Sequence, residues 1–152
     1  YYAHPRNHFW PIVGHILGEN FAELSYGERL DRLVECRVGL WDSVQSASRH
    51  RSNDATIARN AKLNPLDALV AKLPDLRLIA FNGKTAARLG QSVLPEGLSV
   101  PMLVLPSTSP ANTLPFEAKL AAWRAISGVL KEVAPVAAGG GSLAVEGFAT
   151  AE

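Results

Sequence analysis

The sequence holds a single cysteine, Cys36, and that scarcity removes several classes of protein at once. No internal disulfide is possible, and a lone thiolate cannot complete a structural zinc site or hold an iron–sulfur cluster. Cys36 reads as a small buried hydrophobe on a helix. An excess of one charge is also missing: 15 Lys and Arg face 14 Asp and Glu, a formal net charge of +1. A strongly basic footprint is therefore absent, and any contact with nucleic acid must come from a local patch. No apolar run approaches the roughly 18 residues of a membrane span. No signal peptide is visible either, so a cytoplasmic protein is expected. The chemistry-bearing motifs that are easiest to find are missing as well. There is no glycine-rich phosphate loop of P-loop or dinucleotide-binding type. No G-x-S-x-G elbow surrounds Ser107 or Ser109, which argues against a serine hydrolase. His4 and His8 stand four apart, but Pro5 lies between them and argues against a helix there, so no metal site is expected. No cofactor is implied.

What remains is a chain of 152 residues, 47% hydrophobic and 19% charged, long enough for one domain with a real core. It opens on YYAHPRNHFWP, dense in aromatic and site-type side chains: Tyr2, His4, Asn7, His8, Phe9 and Trp10. Termini are usually frayed and polar, so a segment ahead of Tyr1 is expected. Pro11 suits the first turn of a helix, and Ile12, Ile16 and Leu17 follow at helical spacing up to Gly18. Ser25 and Glu28 form a capping-box pattern, which predicts a helix with Leu30, Leu33 and Val34 as its stripe, ending near Arg37 to Gly39. Asn64-Pro65 opens another helix, with Leu66, Leu69, Val70 and Leu73 apolar. A helix is expected from Lys84 to Leu89. A last one starts at Pro115, with Phe116, Leu120, Trp123, Ile126 and Leu130 on one face.

Three apolar runs read as strands: residues 38–41, Leu76 to Phe81, and Val100 to Leu105. The last is near-continuously hydrophobic, as in a parallel strand covered on both faces. Strands alternating with helices predict an α/β domain with a parallel sheet. Each run ends in polar residues: Asp42-Ser43, Asn82-Gly83, and Ser107-Thr108-Ser109 with Asn112 beyond. In open parallel sheets, ligands bind beyond the carboxyl ends of the strands. The same residue types also favour plain turns, so both readings stand. Uncharged hydroxyls and amides suit phosphate, sugar or base edges better than a metal. Aromatic faces stack on bases, and amides read base edges. Residues 45–56 form a polar stretch with Arg49, His50 and Arg51, either a solvated loop or a basic loop that touches phosphate. The Ala- and Gly-rich residues 135–152 read as a flexible tail.

YYAHPRNHFWP together with LPSTSPAN resembles the uracil-DNA glycosylase superfamily, and within it the hypoxanthine-DNA (deoxyinosine) glycosylase branch. GLWDSV, NDATI and FNGKTAARL are similar to that branch too. The resemblance covers residues 1 to about 132, and residues 1–134 are expected to form the glycosylase-like domain. It implies a three-layer α/β/α sandwich on a central parallel sheet, whose first strand precedes Tyr1 and is absent from this chain. It implies a monomeric DNA-repair enzyme that hydrolyses the N-glycosidic bond of a deaminated base, hypoxanthine or also uracil, flipped out of DNA. A DNA-binding remnant of the same fold without catalysis is the alternative. The resemblance implies Asn7 as the catalytic residue, with Tyr2, His4 and Phe9 at the base. It assigns Ser107, Thr108, Ser109, Asn112, Asn82 and Gly83 to DNA contacts.

Overall fold

The capping box written in the sequence forms as expected. The Ser25 amide donates to Glu28 Oε2 at 2.7 Å, and the Glu28 amide donates to Ser25 Oγ at 3.4 Å. Two of the four orphan N–H groups of a helix start are thereby satisfied, and the helix runs Tyr26–Glu35. In this computed structural model, residues 2–46 and 62–131 are described; the basic stretch Arg49 to Arg51 and the tail 135–152 lie outside them. The helices are α1 (Phe9–Leu17), α2 (Tyr26–Glu35), α3 (Leu66–Val70), α4 (Lys84–Gln91), α5 (Phe116–Trp123) and α6 (Ser127–Lys131). Short 3₁₀ turns occupy Phe21–Glu23 and Arg124–Ile126. The strands are β1 (Val44–Ser46), β2 (Lys62–Leu63), β3 (Ile79–Asn82) and β4 (Met102–Leu105). The described residues divide into two compact units, 2–40 with 106–131, and 41–46 with 62–105.

The first unit is built on aromatic rings. Phe9 lies at its centre, 3% exposed. Tyr2 stacks on Phe9 with ring centroids 3.9 Å apart, while Trp10 and Trp123 meet it edge-on at 5.1 and 6.0 Å. Such offset and T-shaped pairs add to plain area burial because ring faces are negative and edges positive. Helix α1 ends where Gly18 turns left-handed at φ 72. An added Cβ at Gly14 would stand 2.6 Å from the Glu19 carbonyl oxygen, so only glycine lets the chain after α1 return so closely. Helix α2 ends at Glu35, just ahead of the stretch Arg37 to Gly39 where its end was expected. Arg37 takes the left-handed conformation at φ 55, and the amides of Arg37 and Val38 close back on the carbonyls of Val34 and Leu33. This is the Schellman arrangement with arginine where glycine is usual. Val34, expected on the buried stripe, is 52% exposed, and Leu33 alone is fully buried.

The second unit contains a β–α–β passage. β3 and β4 pair in parallel, with Ile79 opposite Met102 and Asn82 opposite Leu105, and α4 connects them. Phe81, Ala86 and Ala87 form its buried centre, with Ile79 and Leu94 packed against it. Gly90 lets α4 close on the Phe81 ring, where a Cβ would meet the ring at 2.4 Å. Two expectations need correcting here. Residues 38–41 form no strand; the strand begins at Val44 and pairs antiparallel with β2. Alternating apolar residues mark a candidate strand, but a strand exists only where a neighbour accepts its hydrogen bonds. β4 is not covered on both faces either: Met102 and Val104 are 37% and 50% exposed, while Leu105 is buried. Asn64 does not cap α3 with its side chain. Its Nδ2 donates instead to the Asp42 carbonyl at 2.6 Å and ties two distant stretches of this unit together.

Candidate active site

The stretch from Tyr2 to Phe9 folds by its own local hydrogen bonds. The Asn7 amide donates to the His4 carbonyl at 2.8 Å, closing a turn over Pro5 and Arg6. The Arg6 amide donates to His4 Nδ1 at 3.1 Å, which orients that exposed imidazole. Asn7 is 4% exposed, and its Oδ1 accepts the Phe9 amide at 2.9 Å. That bond satisfies a free donor at the start of α1, a role Asn fills well, and it also locks the side chain. Tyr2 sits at φ 57, in the left-handed region that a bulky residue rarely adopts. Its ring is held there by stacking on Phe9.

These residues open on a cavity of about 870 Å³ within the first unit. Tyr2, His4 and Asn7 line it, with Trp10, His15 and Arg29 further along. Phe9 lies behind Tyr2 and is not on the wall. The guanidinium of Arg29 lies 5.3 Å from the Trp10 ring centre, a cation–π contact. Arg29 gave no signal in the sequence, because it stands among the solvated charges of an ordinary amphipathic helix.

The loop after β4 belongs to the same unit. Thr108 is fully buried, and its carbonyl accepts the His8 amide at 3.0 Å. The Ser109 amide donates to Ser107 Oγ at 3.2 Å, and Asn112 Nδ2 donates to the Ser107 carbonyl at 2.9 Å. Asn112 Oδ1 accepts the Leu114 amide at 3.2 Å, so this side chain staples its own loop. Beneath the loop lies Lys119, 0% exposed, with Nζ 3.2 Å from the Ser109 carbonyl and 2.8 Å from that of Asn112. Lys119 belongs to no motif in the sequence. Its spacing from Phe116 and Trp123 was the available signal, since it falls on the buried stripe of α5. Asn82 and Gly83 stand in the second unit, at the carboxyl end of β3. Asn82 is 6% exposed; Gly83, at φ 104, donates its amide to the Leu105 carbonyl at 2.9 Å. No cluster of three or more metal-ligating side chains occurs among the described residues, and no described helix is long and apolar enough to cross a membrane.

His8 links the two stretches of the first unit. Its ring meets Phe116 edge-on at 5.3 Å, and its buried Nδ1 has no hydrogen-bond partner among the described residues. Burial, and secondarily the charge of Lys119, hold its pKa below the ordinary value of 6.5. As pH falls, the unfolded chain therefore takes up this proton first. Stability is expected to be lost as pH drops through 6.5 toward the folded-state pKa, and to rise with pH across that window. Urea unfolding followed downward from neutral pH checks this. His8→Gln should flatten the curve, and an unchanged slope would assign it to another group.

No family model matches the sequence. A protein of Methanosarcina acetivorans named hypoxanthine DNA glycosylase is 37% identical over 126 residues, covering 83% of this chain and 78% of that protein. The chain belongs to the hypoxanthine-DNA glycosylase branch of the uracil-DNA glycosylase superfamily. A second protein of that name, from Methanosarcina barkeri, is 32% identical over 123 residues, 81% of this chain and 76% of its own. The solution NMR structure of a candidate uracil DNA glycosylase from Methanosarcina acetivorans superposes with a TM-score of 0.73 at 35% identity, covering 86% of this chain and 79% of the other. The α/β architecture expected from the alternation of strands and helices is thus that of a uracil-DNA glycosylase fold. Within this glycosylase, Tyr2, His4 and Asn7 meet on one cavity, and the Ser107–Asn112 loop is tied to the same unit through His8.

Proposed function

We propose that the chain is a base-excision repair enzyme that hydrolyses the N-glycosidic bond of hypoxanthine, and also of uracil, in DNA. The observation that carries this reading is the common cavity wall of Tyr2, His4 and Asn7, an aromatic face, an imidazole and an amide. A base inside a duplex is out of reach, so the nucleotide must first leave the stack. This costs roughly a few kcal/mol and least at a mispaired base. Tyr2 offers the ring on which the flipped base stacks, Phe9 backs that ring, and His4 stands at the rim. Hypoxanthine and uracil share one edge, a carbonyl beside a ring N–H. An amide matches that edge, acceptor to donor and donor to acceptor. Asn7 carries such an amide on the cavity wall.

In the reaction, the bond from C1′ to the base nitrogen breaks and its electron pair leaves on the base. A water oxygen bonds to C1′, and the water's proton ends on the departing base. Charge develops on both sides of the breaking bond, so fixed dipoles accelerate the step. Asn7 acts here by holding the base edge or the attacking water, in a position already set by its bond to Phe9. Ser107 and Ser109 hold DNA phosphates by hydroxyl groups, while buried Thr108 and the Asn112 side chain, which staples its own loop, shape the loop that presents them. Asn82 and Gly83, at the carboxyl end of β3, are the second unit's part of the DNA-contact assignment. The enzyme acts as a monomer in the cytoplasm, with no metal or cofactor. The test is base release from duplexes carrying one hypoxanthine or one uracil, followed by alkali and gel analysis. Strand cleavage at hypoxanthine is expected. Retardation of the duplex without cleavage at either base would leave DNA binding and remove the enzyme.

A further inference from the structure

Lys119 is the most unusual charge in the described residues. It is fully buried, and no carboxylate among those residues pairs with it; the ion pairs found there join Arg32 to Glu19 and Glu35. A buried ammonium without a counter-ion opposes folding, and a hydrophobic side chain would fill the same space at less cost. The contacts of the ammonium indicate what it does. It grips the carbonyls of Ser109 and Asn112, while Trp123 Nε1 holds the carbonyl of Pro106 at 2.9 Å from the same helix.

Those grips orient the backbone. A trans peptide is planar, so a carbonyl and the N–H that follows it point in opposite directions. With the carbonyls of Pro106 and Asn112 drawn toward α5, the N–H groups of Ser107 and Thr113 are turned to the opposite side of the loop. Donors on one side and a cation beneath make an anion-accepting surface. In a chain of net charge +1, such a local device replaces a general basic surface.

We propose that Lys119 is a positioning residue for the loop from Ser107 to Thr113: its hold on the Asn112 carbonyl turns the Thr113 N–H toward a DNA phosphate, beside the Ser107 N–H that Trp123 sets, and its charge supplies the loop's positive field. This rests on reading that loop as a phosphate contact. It assigns Lys119 to binding and not to bond cleavage.

The test is fluorescence anisotropy with an undamaged duplex over a range of salt concentrations, for the wild type, Lys119→Met and Lys119→Arg, with folding checked by circular dichroism. Lys119→Met should weaken binding about tenfold and lower the salt slope of the affinity. The kcat for base release at saturating DNA should stay near the wild-type value while KM rises. Lys119→Arg, which keeps charge and donors, should recover most of the affinity. Wild-type affinity and slope in Lys119→Met would overturn the proposal. If that variant does not fold, the wild type answers by NMR. The amide signals of Ser107 and Thr113 should shift on titration with a short duplex, and signals that stay still would overturn it equally. A wild type that binds through these amides yet releases no base would defeat the glycosylase reading and leave Lys119 in its role.

Discussion

Asn7→Ala is expected to reduce base release by about 10²–10³-fold, the usual effect of removing one fixed dipole aimed at developing charge in an enclosed site. The side chain has two jobs, however, and alanine removes both. Its Oδ1 accepts the Phe9 amide at the start of α1, and losing such a cap costs about 1 kcal/mol of stability. A fall in activity from partial unfolding must therefore be separated from a fall in chemistry. Asn7→Asp makes that separation. The carboxylate still accepts from Phe9, so that bond is kept, and thermal unfolding of both variants separates lost stability from lost chemistry. It cannot donate a hydrogen bond to a base carbonyl. Loss of base release in Asn7→Asp at full stability, measured in single-turnover assays, would identify the amide donor as the working group. Release retained in Asn7→Asp would assign the work to the oxygen, acting on water. Release retained in Asn7→Ala would remove Asn7 from the reaction altogether.

Tyr2→Ala should lower kcat/KM for hypoxanthine on the order of a hundredfold. Stacking of a base on an aromatic ring contributes about 1–3 kcal/mol, and a hundredfold loss lies within that range. Tyr2 is 8% exposed and stacked on Phe9, so the truncation also opens a hole beside the aromatic centre. Loss of a buried aromatic ring destabilises by about 3–5 kcal/mol when the surroundings cannot collapse. Tyr2→Phe keeps the ring and the stack and removes only the hydroxyl. It should retain activity within about threefold if the ring face is what binds the base. A large loss in Tyr2→Phe, with normal stability, would transfer the role from the face to the hydroxyl. The two substrates add a further check. Hypoxanthine is bicyclic and overlaps more of a ring than uracil does, so Tyr2→Ala should hurt hypoxanthine release more.

Several features of this protein were legible because they are written within a few neighbouring residues. The capping box of Ser25 and Glu28 closes over three positions. The parallel pair of β3 and β4 follows from two apolar runs separated by a helix-length segment, since parallel strands need such a crossover. The clustering of Tyr2, His4 and Asn7 was legible for the same reason: the stretch is too short to scatter them.

The sequence by itself therefore determined the helix starts, the β–α–β passage and the family. Only the tertiary structure decided what those pieces meet. It moved a strand from residues 38–41 to Val44–Ser46, because pairing depends on a partner that local patterning does not name. It closed α2 with a left-handed Arg37, at the start of the stretch where an end was expected, because a backbone held by its neighbours tolerates a conformation that propensity alone would refuse. It set Phe9 behind Tyr2, and it buried Lys119 under the loop from Ser107 to Asn112. A lysine on a helix is solvated by default, and spacing on an apolar stripe is the one local hint against it. It becomes a buried cation only when carbonyls from a segment several residues away close over it, and that closure is a property of the packed chain.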